Sequence, residues 1–325
     1  MKRFFITFPL FFLFLNIHAQ AVPSEEENIP FLMTFGNAAE ISWGDDDFSQ
    51  TFFFLVPESY KGQVYLRIFD PDVGGLNDEL NGIFDTKMQY SVYGGKEAFT
   101  HPDARGIQPE GNYKSGNLLS TKIFGVDSKY DNNWYTFGPF NPTEGEHYPR
   151  YNGYIFKLIC DGISGDDGNM YRYFMSTSGT ANIPIEGANA FAYEYSFRMH
   201  DNASEVSHIY PYIDTECIKV KQGNFDWDDD GVIRVSSEVR REQLCLVSGN
   251  AVWAESEFAI MDGEKGKSLD FQFIKKNPPV KNNNVVINVS NQFGDYLQFY
   301  SSPIGGVPKY KYNIGVRKKP SGSTK

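Results

Sequence analysis

The chain has 325 residues, of which 41 are acidic and 30 are basic, so its formal net charge is −11. Such an acidic chain is repelled by nucleic acids and by anionic membranes, and nucleic acid is therefore excluded as an expected partner. Three cysteines are too few for a disulfide scaffold of this size, and no Cys-x-x-Cys motif or His/Cys cluster indicates zinc.

The N-terminus has the composition of a signal peptide over residues 1–21. Lys2 and Arg3 precede an apolar run that ends at Leu15, and small residues follow at Ala19 and Ala21, after either of which cleavage would fit. The run is short for a membrane span, and no cysteine follows it for lipid attachment. We therefore expect the mature chain to be periplasmic or secreted, without membrane insertion after cleavage.

The rest of the chain has the pattern of an all-β protein. Short apolar or alternating segments rich in Phe, Tyr, Val and Ile recur between clusters of Gly, Asn, Asp and Pro, and helix-period patterns are scarce. The first series of predicted strands covers residues 51–56, 64–69, 88–93, 118–124, 134–138, 154–160, 171–176 and 191–198. We predict that they form a larger β-sandwich domain of jelly-roll type over residues 28–200.

A second domain is predicted after the short polar segment 199–208. The second series of predicted strands covers residues 217–220, 232–235, 244–247, 252–260, 269–274, 285–289 and 296–300. This spacing is typical of an immunoglobulin-like sandwich, which we place at residues 205–317, followed by a disordered basic tail at 318–325. Cys217 and Cys245 lie in neighbouring strand-like segments and form either a disulfide or two buried thiols.

Acidic loops flank the first strands of the larger domain. Their aspartates are Asp45, Asp46, Asp47, Asp70, Asp72, Asp78 and Asp85. If the strands 51–56 and 64–69 pair as a hairpin, the chain reversal brings all of them to one end of the sandwich. Carboxylates gathered in this way repel each other unless water and salt screen them or a cation binds, and Ca²⁺ fits because it takes several oxygen ligands in flexible geometry. Solvated turns without a metal are the alternative, because Asp and Gly are ordinary turn formers.

The most specific motif in the chain is "FDWDDDGVIRVSSE" at residues 225–238. Asp226, Asp228 and Asp230 match positions 1, 3 and 5 of a calcium-binding loop, and the glycine of position 6 follows at once. The carbonyl of Val232 would supply the ligand at position 7. Ser237 stands where the loop needs a bidentate glutamate, so we expect calcium binding of modest affinity, with an Asp-rich β-turn as the alternative.

The stretch "FFFLVPESYKGQVYLRIFDPDVGG … FDTKMQYSVYGG" carries a resemblance to a known family. An aromatic strand ends in Val-Pro, a reversal leads to an apolar strand that ends in an acidic turn, and an Asp-led strand of alternating pattern follows. Over about residues 50–95 this order resembles the secreted bacterial pre-peptidase C-terminal (PPC) domain. The resemblance implies a small β-sandwich that is accessory to a secreted enzyme and in some members binds calcium. The topology is similar also to a C2-like sandwich, whose calcium loops use the Asp-x-Asp arrangement found at Asp70 and Asp72.

No catalytic motif is recognisable in the sequence. Nucleophile elbows, His-Glu-x-x-His and phosphate-binding loops do not occur, and the acidic residues sit in Gly-rich turns where they should stay solvated and ionised. A glycosidase acid needs an apolar environment that raises its pKa. We therefore predict that the protein is not an enzyme, with a secreted hydrolase that uses carboxylates as the second alternative.

Aromatic residues in long loops indicate a binding surface instead. The loops 101–117 and 127–154 carry many aromatic and amide side chains, and Trp43, Trp134 and Tyr135 are candidate contact residues. The sequence thus predicts an exported, calcium-stabilised binding or structural module with a protein partner in the bacterial cell envelope. A carbohydrate-binding module that takes a polysaccharide is the alternative.

Overall fold

The computed structural model describes residues 20–281 and 283–309. The predicted signal peptide before Gln20 and the predicted tail 318–325 lie outside these residues. The helical elements that the structure describes are short 3₁₀ turns at Ile41–Trp43, Pro102–Arg105, Pro142–Glu144, Pro149–Tyr151 and Asp262–Glu264. None of them approaches the length and apolar character that a bilayer span requires.

Strands dominate the described residues, and the predicted all-β class is confirmed. The first part of the chain contains β1 (Ala21–Val22), β2 (Phe31–Phe35), β3 (Ser49–Pro57), β4 (Val64–Phe69), β5 (Lys87–Gly94), β6 (Asn117–Phe124), β7 (Trp134–Phe140), β8 (Glu146–Tyr148), β9 (Gly153–Ser164), β10 (Gly168–Ser176), β11 (Asn189–Ala192) and β12 (Glu194–Arg198). The second part contains β13 (Val206–Ile209), β14 (Tyr212–Ile213), β15 (Lys219–Phe225), β16 (Gly231–Ser236), β17 (Gln243–Cys245), β18 (Trp253–Ala259), β19 (Lys267–Ser268), β20 (Asp270–Lys275), β21 (Asn284–Asn291) and β22 (Phe299–Tyr300).

One large sheet runs through both parts of the chain. Its strand order is β18-β15-β21-β12-β2-β10-β4-β7, with β1 beside β10. A seven-stranded sheet has the order β22-β11-β3-β9-β5-β6, with β8 beside β9, and a four-stranded sheet has the order β13-β20-β16-β17. A short ladder joins β14 to β19.

The two smaller sheets cover different parts of the large sheet. Phe52 of β3 lies 4.8 Å, between ring centroids, from Tyr173 of β10, which places the seven-stranded sheet over the first part. Phe273 of β20 lies 5.3 Å from Phe197 of β12, which places the four-stranded sheet over the second part. The fold therefore consists of two β-sandwiches that share the large sheet as one of their layers and have one common buried core.

The large sheet contains strands from both sides of the segment 199–208, which was predicted as a domain boundary. Strand β12 lies before this segment and β21 far after it, yet they pair from Glu194 opposite Asn288 to Arg198 opposite Asn284. The strands predicted for the immunoglobulin-like domain consequently divide between two sheets. β15, β18 and β21 extend the shared sheet, while β13, β16, β17 and β20 form the sheet that covers it.

The hairpin considered for the strands 51–56 and 64–69 does not form. β3 pairs with β9 and β11, whereas β4 pairs with β10 and β7 in the opposite sheet. A short turn reverses the chain equally well within one sheet or from one sheet to the other, so the local sequence does not distinguish them. Since the direction still reverses, the start of β3 and the end of β4 lie at the same end of the sandwich.

The single strand predicted at 191–198 is two strands in different sheets. β11 belongs to the seven-stranded sheet and β12 to the large one, and Tyr193 is the residue between them. This crossing places Tyr193 and Glu194 at the edge between the two layers, where both contribute to the sites described below. The three cysteines are free and buried, which decides the alternatives for Cys217 and Cys245 in favour of thiols.

Strand β3 shows that the seven-stranded sheet is covered on both faces. Phe52 and Phe54 belong to the core between the layers, whereas Phe53 lies on the other face, as the two-residue period of a strand requires. On that outer face the ring of Phe53 lies 5.3 Å from those of both Phe99 and Phe191. A second hydrophobic cluster thus covers the outer face, and a groove is built on it.

Candidate functional site

A groove of about 1600 Å³ lies on the outer face of the seven-stranded sheet. Pockets for single small molecules usually measure about 300–1000 Å³, so this groove has room for a longer ligand. Its aromatic lining consists of Phe99, Tyr148, Tyr151, Tyr193, Tyr212, Tyr296 and Tyr300. Both parts of the chain contribute to it, which makes the groove a product of the whole fold.

These tyrosines come from elements that are distant in sequence. Tyr148 ends β8, and Tyr151 lies in the 3₁₀ turn that Pro149 begins. Tyr193 is placed by the crossing from β11 to β12, Tyr212 begins β14, and Tyr300 ends β22. No local pattern joins these positions, and the aromatic loop 127–154 was a sequence signal for Tyr148 and Tyr151 alone.

The side-chain amide of Gln298 fixes the floor of the groove. Its Nε2 donates to the hydroxyls of Tyr151 at 2.8 Å and Tyr193 at 3.1 Å, and its Oε1 accepts from the hydroxyl of Tyr300 at 2.8 Å. Burial raises the pKa of Tyr193 and Tyr300, so both hydroxyls remain protonated at neutral pH. The floor therefore presents polar groups that are already oriented.

The walls keep their aromatic rings partly accessible. Tyr148, Tyr151, Tyr212 and Tyr296 are half-buried, whereas Tyr193 and Tyr300 are buried. Ring contacts hold the wall in place, because Tyr148 packs edge-on against Phe99 at 5.1 Å and against Tyr151 at 4.8 Å. Rings held by such contacts lose little entropy when a ligand packs on them.

Charges of both signs stand at the rim of the groove. Arg105 and Arg150 contribute positive charge, and Glu186, Asp214 and Asp295 contribute negative charge. The guanidinium of Arg105 lies 5.7 Å from the centroid of the Phe99 ring, within cation–π range. The near balance of charge favours a neutral ligand over a polyanion or a polycation.

The long loops singled out in the sequence do reach this groove. The loop 101–117 contributes Pro102, Arg105 and Gly106, and the loop 127–154 contributes Tyr148, Arg150 and Tyr151. What sequence reasoning missed is the contribution of the second part of the chain to the lining, which includes Tyr212, Tyr296 and Gln298.

The three predicted contact residues lie outside the groove. Trp43 packs against Phe35 at 5.7 Å, and Trp134 packs against Phe69 at 5.4 Å with the guanidinium of Arg67 at 4.8 Å from its ring. Tyr135 packs against a ring cluster that includes Phe137 at 4.9 Å. All three are half-buried, and the structure does not bring them together with the tyrosine wall.

The acidic loops of the first part do lie at one end of the sandwich. Asp161, late in β9, pairs with Ser49 at the start of β3, and the backbone N–H of Gly36 donates to the carbonyl of Asp167. The backbone N–H of Phe35 donates to Asp45 Oδ2 at 2.7 Å, which ties the loop 44–48 to the same end. The loops nevertheless separate into distinct groups of carboxylates.

Two groups of three aspartates bring their carboxylate oxygens within 4.8 Å of one another in the described part of the chain. One group is Asp45, Asp46 and Asp47, and the other is Asp85, Asp166 and Asp167. In the second group, Asp167 accepts hydrogen bonds from the backbone N–H groups of Asn81, Asp85 and Thr86. Protein donors thus already satisfy its buried oxygens.

The aspartates of the loop 70–79 form a network with backbone and amide donors. Asp70 accepts from the backbone N–H of Asn132 at 2.8 Å, and Asp78 accepts from that of Met170 at 2.7 Å. Asp72 accepts from the backbone N–H of Asp127 at 3.2 Å, while its Oδ1 is buried without a partner among the described residues. Burial is the main cause that raises the pKa of Asp72 to about 6.

The loop 225–238 has partners of its own. Asp226 is buried and accepts from the backbone N–H of Ala251, and Asp230 lies 2.7 Å from the ammonium of Lys276. Asp228 is exposed, and Val232 lies in β16 opposite Ile274 of β20. The three aspartates do not form one of the close carboxylate groups found among residues 20–281 and 283–309.

The fold and the groove together define an all-β sandwich protein with a groove lined by aromatic residues. Comparisons with known proteins add no family to this description: no family model matches the chain, and no match was found among curated proteins. The groove and the acidic loops are therefore interpreted from their own geometry.

Proposed function

We propose that the protein binds a neutral oligosaccharide or polysaccharide in the tyrosine-lined groove without cleaving it. The observation that carries this proposal is the combination, in one groove, of half-exposed tyrosine rings with an oriented amide and phenol network. A pyranose ring has C–H faces that pack on aromatic rings and hydroxyls at its edge that bond to amides and phenols. Such a lining therefore supports sugar recognition.

The size and shape of the groove support an extended ligand. Its volume of about 1600 Å³ exceeds what a single sugar ring needs, and its walls come from both parts of the chain. Several rings of one saccharide chain can then contact the tyrosines at once, which multiplies weak individual contacts. We expect longer oligosaccharides to bind more tightly than disaccharides.

The groove supports binding rather than hydrolysis. Its carboxylates are Glu186 and Asp295, which are exposed, and Asp214, which is half-buried. A general acid of a glycosidase is buried in apolar surroundings that keep it protonated, and none of these three has such surroundings. No histidine lines the groove in the part of the chain that the structure describes.

The proposal predicts the effect of removing one tyrosine ring contributed by each of the two parts of the chain. Tyr148→Ala and Tyr296→Ala are each expected to weaken saccharide binding about tenfold, which corresponds to about 1.4 kcal/mol, because a stacking surface is lost. Binding is measured by depletion onto insoluble neutral polysaccharides and by calorimetry with soluble oligosaccharides. Tyr148→Phe separates ring packing from hydroxyl bonding and should retain most of the affinity.

Trp134→Ala is the matched control, since it removes an aromatic side chain that lies outside the groove. It should leave saccharide binding unchanged, with folding of every variant checked by its melting temperature. The proposal is wrong if the protein is retained by no neutral saccharide, or if Trp134→Ala removes binding while both tyrosine variants keep it. Capture of a protein partner that the tyrosine variants lose would replace a saccharide with a protein ligand.

A further inference from the structure

The loop 44–48 places three carboxylates around one point. Asp45, Asp46 and Asp47 each offer an oxygen within 4.8 Å of the others. Oxygen ligands lie about 2.3–2.6 Å from Ca²⁺, so two ligands of one ion are at most about 5 Å apart. One ion can therefore contact all three side chains without rearrangement of the loop.

Two oxygens in this group lack any hydrogen-bond partner. Asp46 Oδ1 and Asp47 Oδ2 are inaccessible to solvent, and no described residue donates to them. Their companion oxygens are occupied, because Gln108 Nε2 donates to Asp46 Oδ2 and the backbone N–H of Ser49 donates to Asp47 Oδ1, both at 2.9 Å. A buried carboxylate oxygen without a partner is costly, so these two atoms are open to a cation or a water.

A fourth carboxylate, on the shared sheet, is an electrostatic neighbour of this group without being one of its three close members. Glu194 begins β12, is only 8% exposed and interacts electrostatically with Asp45 and Asp46. Its Oε2 accepts from Asn288 Nδ2 at 2.9 Å. Among the described residues no Lys, Arg or His lies within 4.0 Å of any of these four carboxylates, so no cation of the protein described by the structure balances them.

Electrostatics agree with this geometry. Burial, together with repulsion from Asp46, raises the pKa of Asp45 to about 7. Burial and the neighbouring carboxylates also raise the pKa of Asp47 and of Glu194 well above their ordinary values. A divalent cation bound among these carboxylates relieves their mutual repulsion.

We propose that Asp45, Asp46 and Asp47 bind one calcium ion beside the buried carboxylate of Glu194. The ligands are all oxygens, which suits Ca²⁺ rather than zinc, and a cluster of carboxylates leaves few places for the tightly held waters of Mg²⁺. A cavity of about 20 Å³ next to Glu194 has room for one water as a further ligand. Its lining includes Gln108 and Ser49, whose side chain and backbone already bond to the cluster.

The ion links the loop 44–48 to the wall of the groove. Gln108 bonds to Asp46. Gly106, which lies two residues before Gln108, lines the groove, and so does Tyr193, which directly precedes Glu194. Calcium is thus expected to order this wall. Any effect of this ordering on saccharide affinity rests on the proposed function. The calcium site itself is independent of any saccharide and is tested without one.

The test compares the metal-free full-length protein with and without CaCl₂ or MgCl₂. Calorimetry with CaCl₂ alone should show binding, and calcium should raise the melting temperature while the same concentration of magnesium has a much smaller effect. Asp47→Asn and Glu194→Gln should each weaken calcium binding at this site at least tenfold. Asp166→Asn is the matched control, since it neutralises one aspartate of the other close group and should leave this binding unchanged.

The metal-free variants provide a second readout. Asp47→Asn and Glu194→Gln remove one repelling charge each, so without calcium they should melt at or above the temperature of the metal-free wild type. A carboxylate that served only as a hydrogen-bond acceptor would give a lower melting temperature instead. The proposal is overturned if calcium neither binds nor shifts the melt, or if both variants bind calcium as tightly as the wild type.

Discussion

At the scale of single residues, Glu27 is a buried acid with no cationic partner among the described residues. Its side chain is fully buried, and its Oε2 accepts the backbone N–H of Ser24 at 2.7 Å. Burial outweighs this hydrogen bond and raises the pKa of Glu27 to about 8. The native protein therefore holds a neutral carboxylic acid at a position where the unfolded chain has an ionised one at neutral pH.

This residue gives a prediction for the pH dependence of stability. A raised pKa contributes stability that is fully present below pH 4.5, the ordinary value of the group, and is lost as the pH rises through about 8. Glu27→Gln keeps the shape without the charge, so it should remove this part of the pH dependence, on the order of a few kcal/mol. Urea unfolding of both proteins at pH 5 and pH 8.5 measures it. Parallel stability profiles for variant and wild type would contradict the account.

At the scale of an element, β1 distinguishes the two possible cleavage points of the predicted signal peptide. Ala21 and Val22 pair with Phe174 and Tyr173 of β10. Gln20 is buried, donates from Nε2 to the carbonyl of Ile185 at 2.5 Å and accepts its N–H at 2.6 Å. Cleavage after Ala21 would remove Gln20 and half of this strand.

We propose export of the protein with cleavage after Ala19, so that the mature chain begins at Gln20. Cleavage there retains both side-chain hydrogen bonds of Gln20 and the whole of β1, and the folded product is the more stable one. The intact mass of the exported protein, compared with the masses for the two cleavage points, measures this. A mature chain that begins at Val22, or one that is retained uncleaved inside the cell, would contradict the prediction.

At the scale of the whole molecule, the shared sheet joins the two parts of the chain. Asn288 of β21 pairs with Glu194 of β12 on one side and with Gly223 of β15 on the other, and β21 is buried almost throughout. Separating the parts would expose this strand and break its ladder to β12. Trp227, in the second part, is fully buried against Phe273 at 5.4 Å and donates from Nε1 to Asn283.

We therefore predict that the protein unfolds in one cooperative transition. Calorimetry should give a single peak whose calorimetric and van't Hoff enthalpies agree, since neither part keeps a complete sheet alone. The fluorescence of the buried Trp227 and the far-UV dichroism of the whole chain should report the same midpoint. Two separate transitions would instead favour independent domains at residues 28–200 and 205–317.

Much of the fold could be predicted from local sequence. The alternation of apolar residues identified most strands to within a few positions; 64–69, for example, is the whole of β4. The acidic loops lie at one end of the sandwich although the hairpin on which that expectation depended does not form, because strand direction still reverses at the short turn between β3 and β4. The grouping of Asp45, Asp46 and Asp47 could be read directly, since the three residues are consecutive.

What only the tertiary structure decided is which strands pair and what they place side by side. Backbone hydrogen bonds between strands are the same for any sequence, so the pairing of β12 with β21 and the separation of β3 from β4 depend on packing over the whole chain. Glu194 lies near the acidic group, and Tyr212 and Tyr296 line the same groove as Tyr148, only because this pairing brings distant segments together. The sequence by itself determined an acidic all-β chain with aspartate turns, and the shared sheet created the groove and placed Glu194 beside the proposed calcium site.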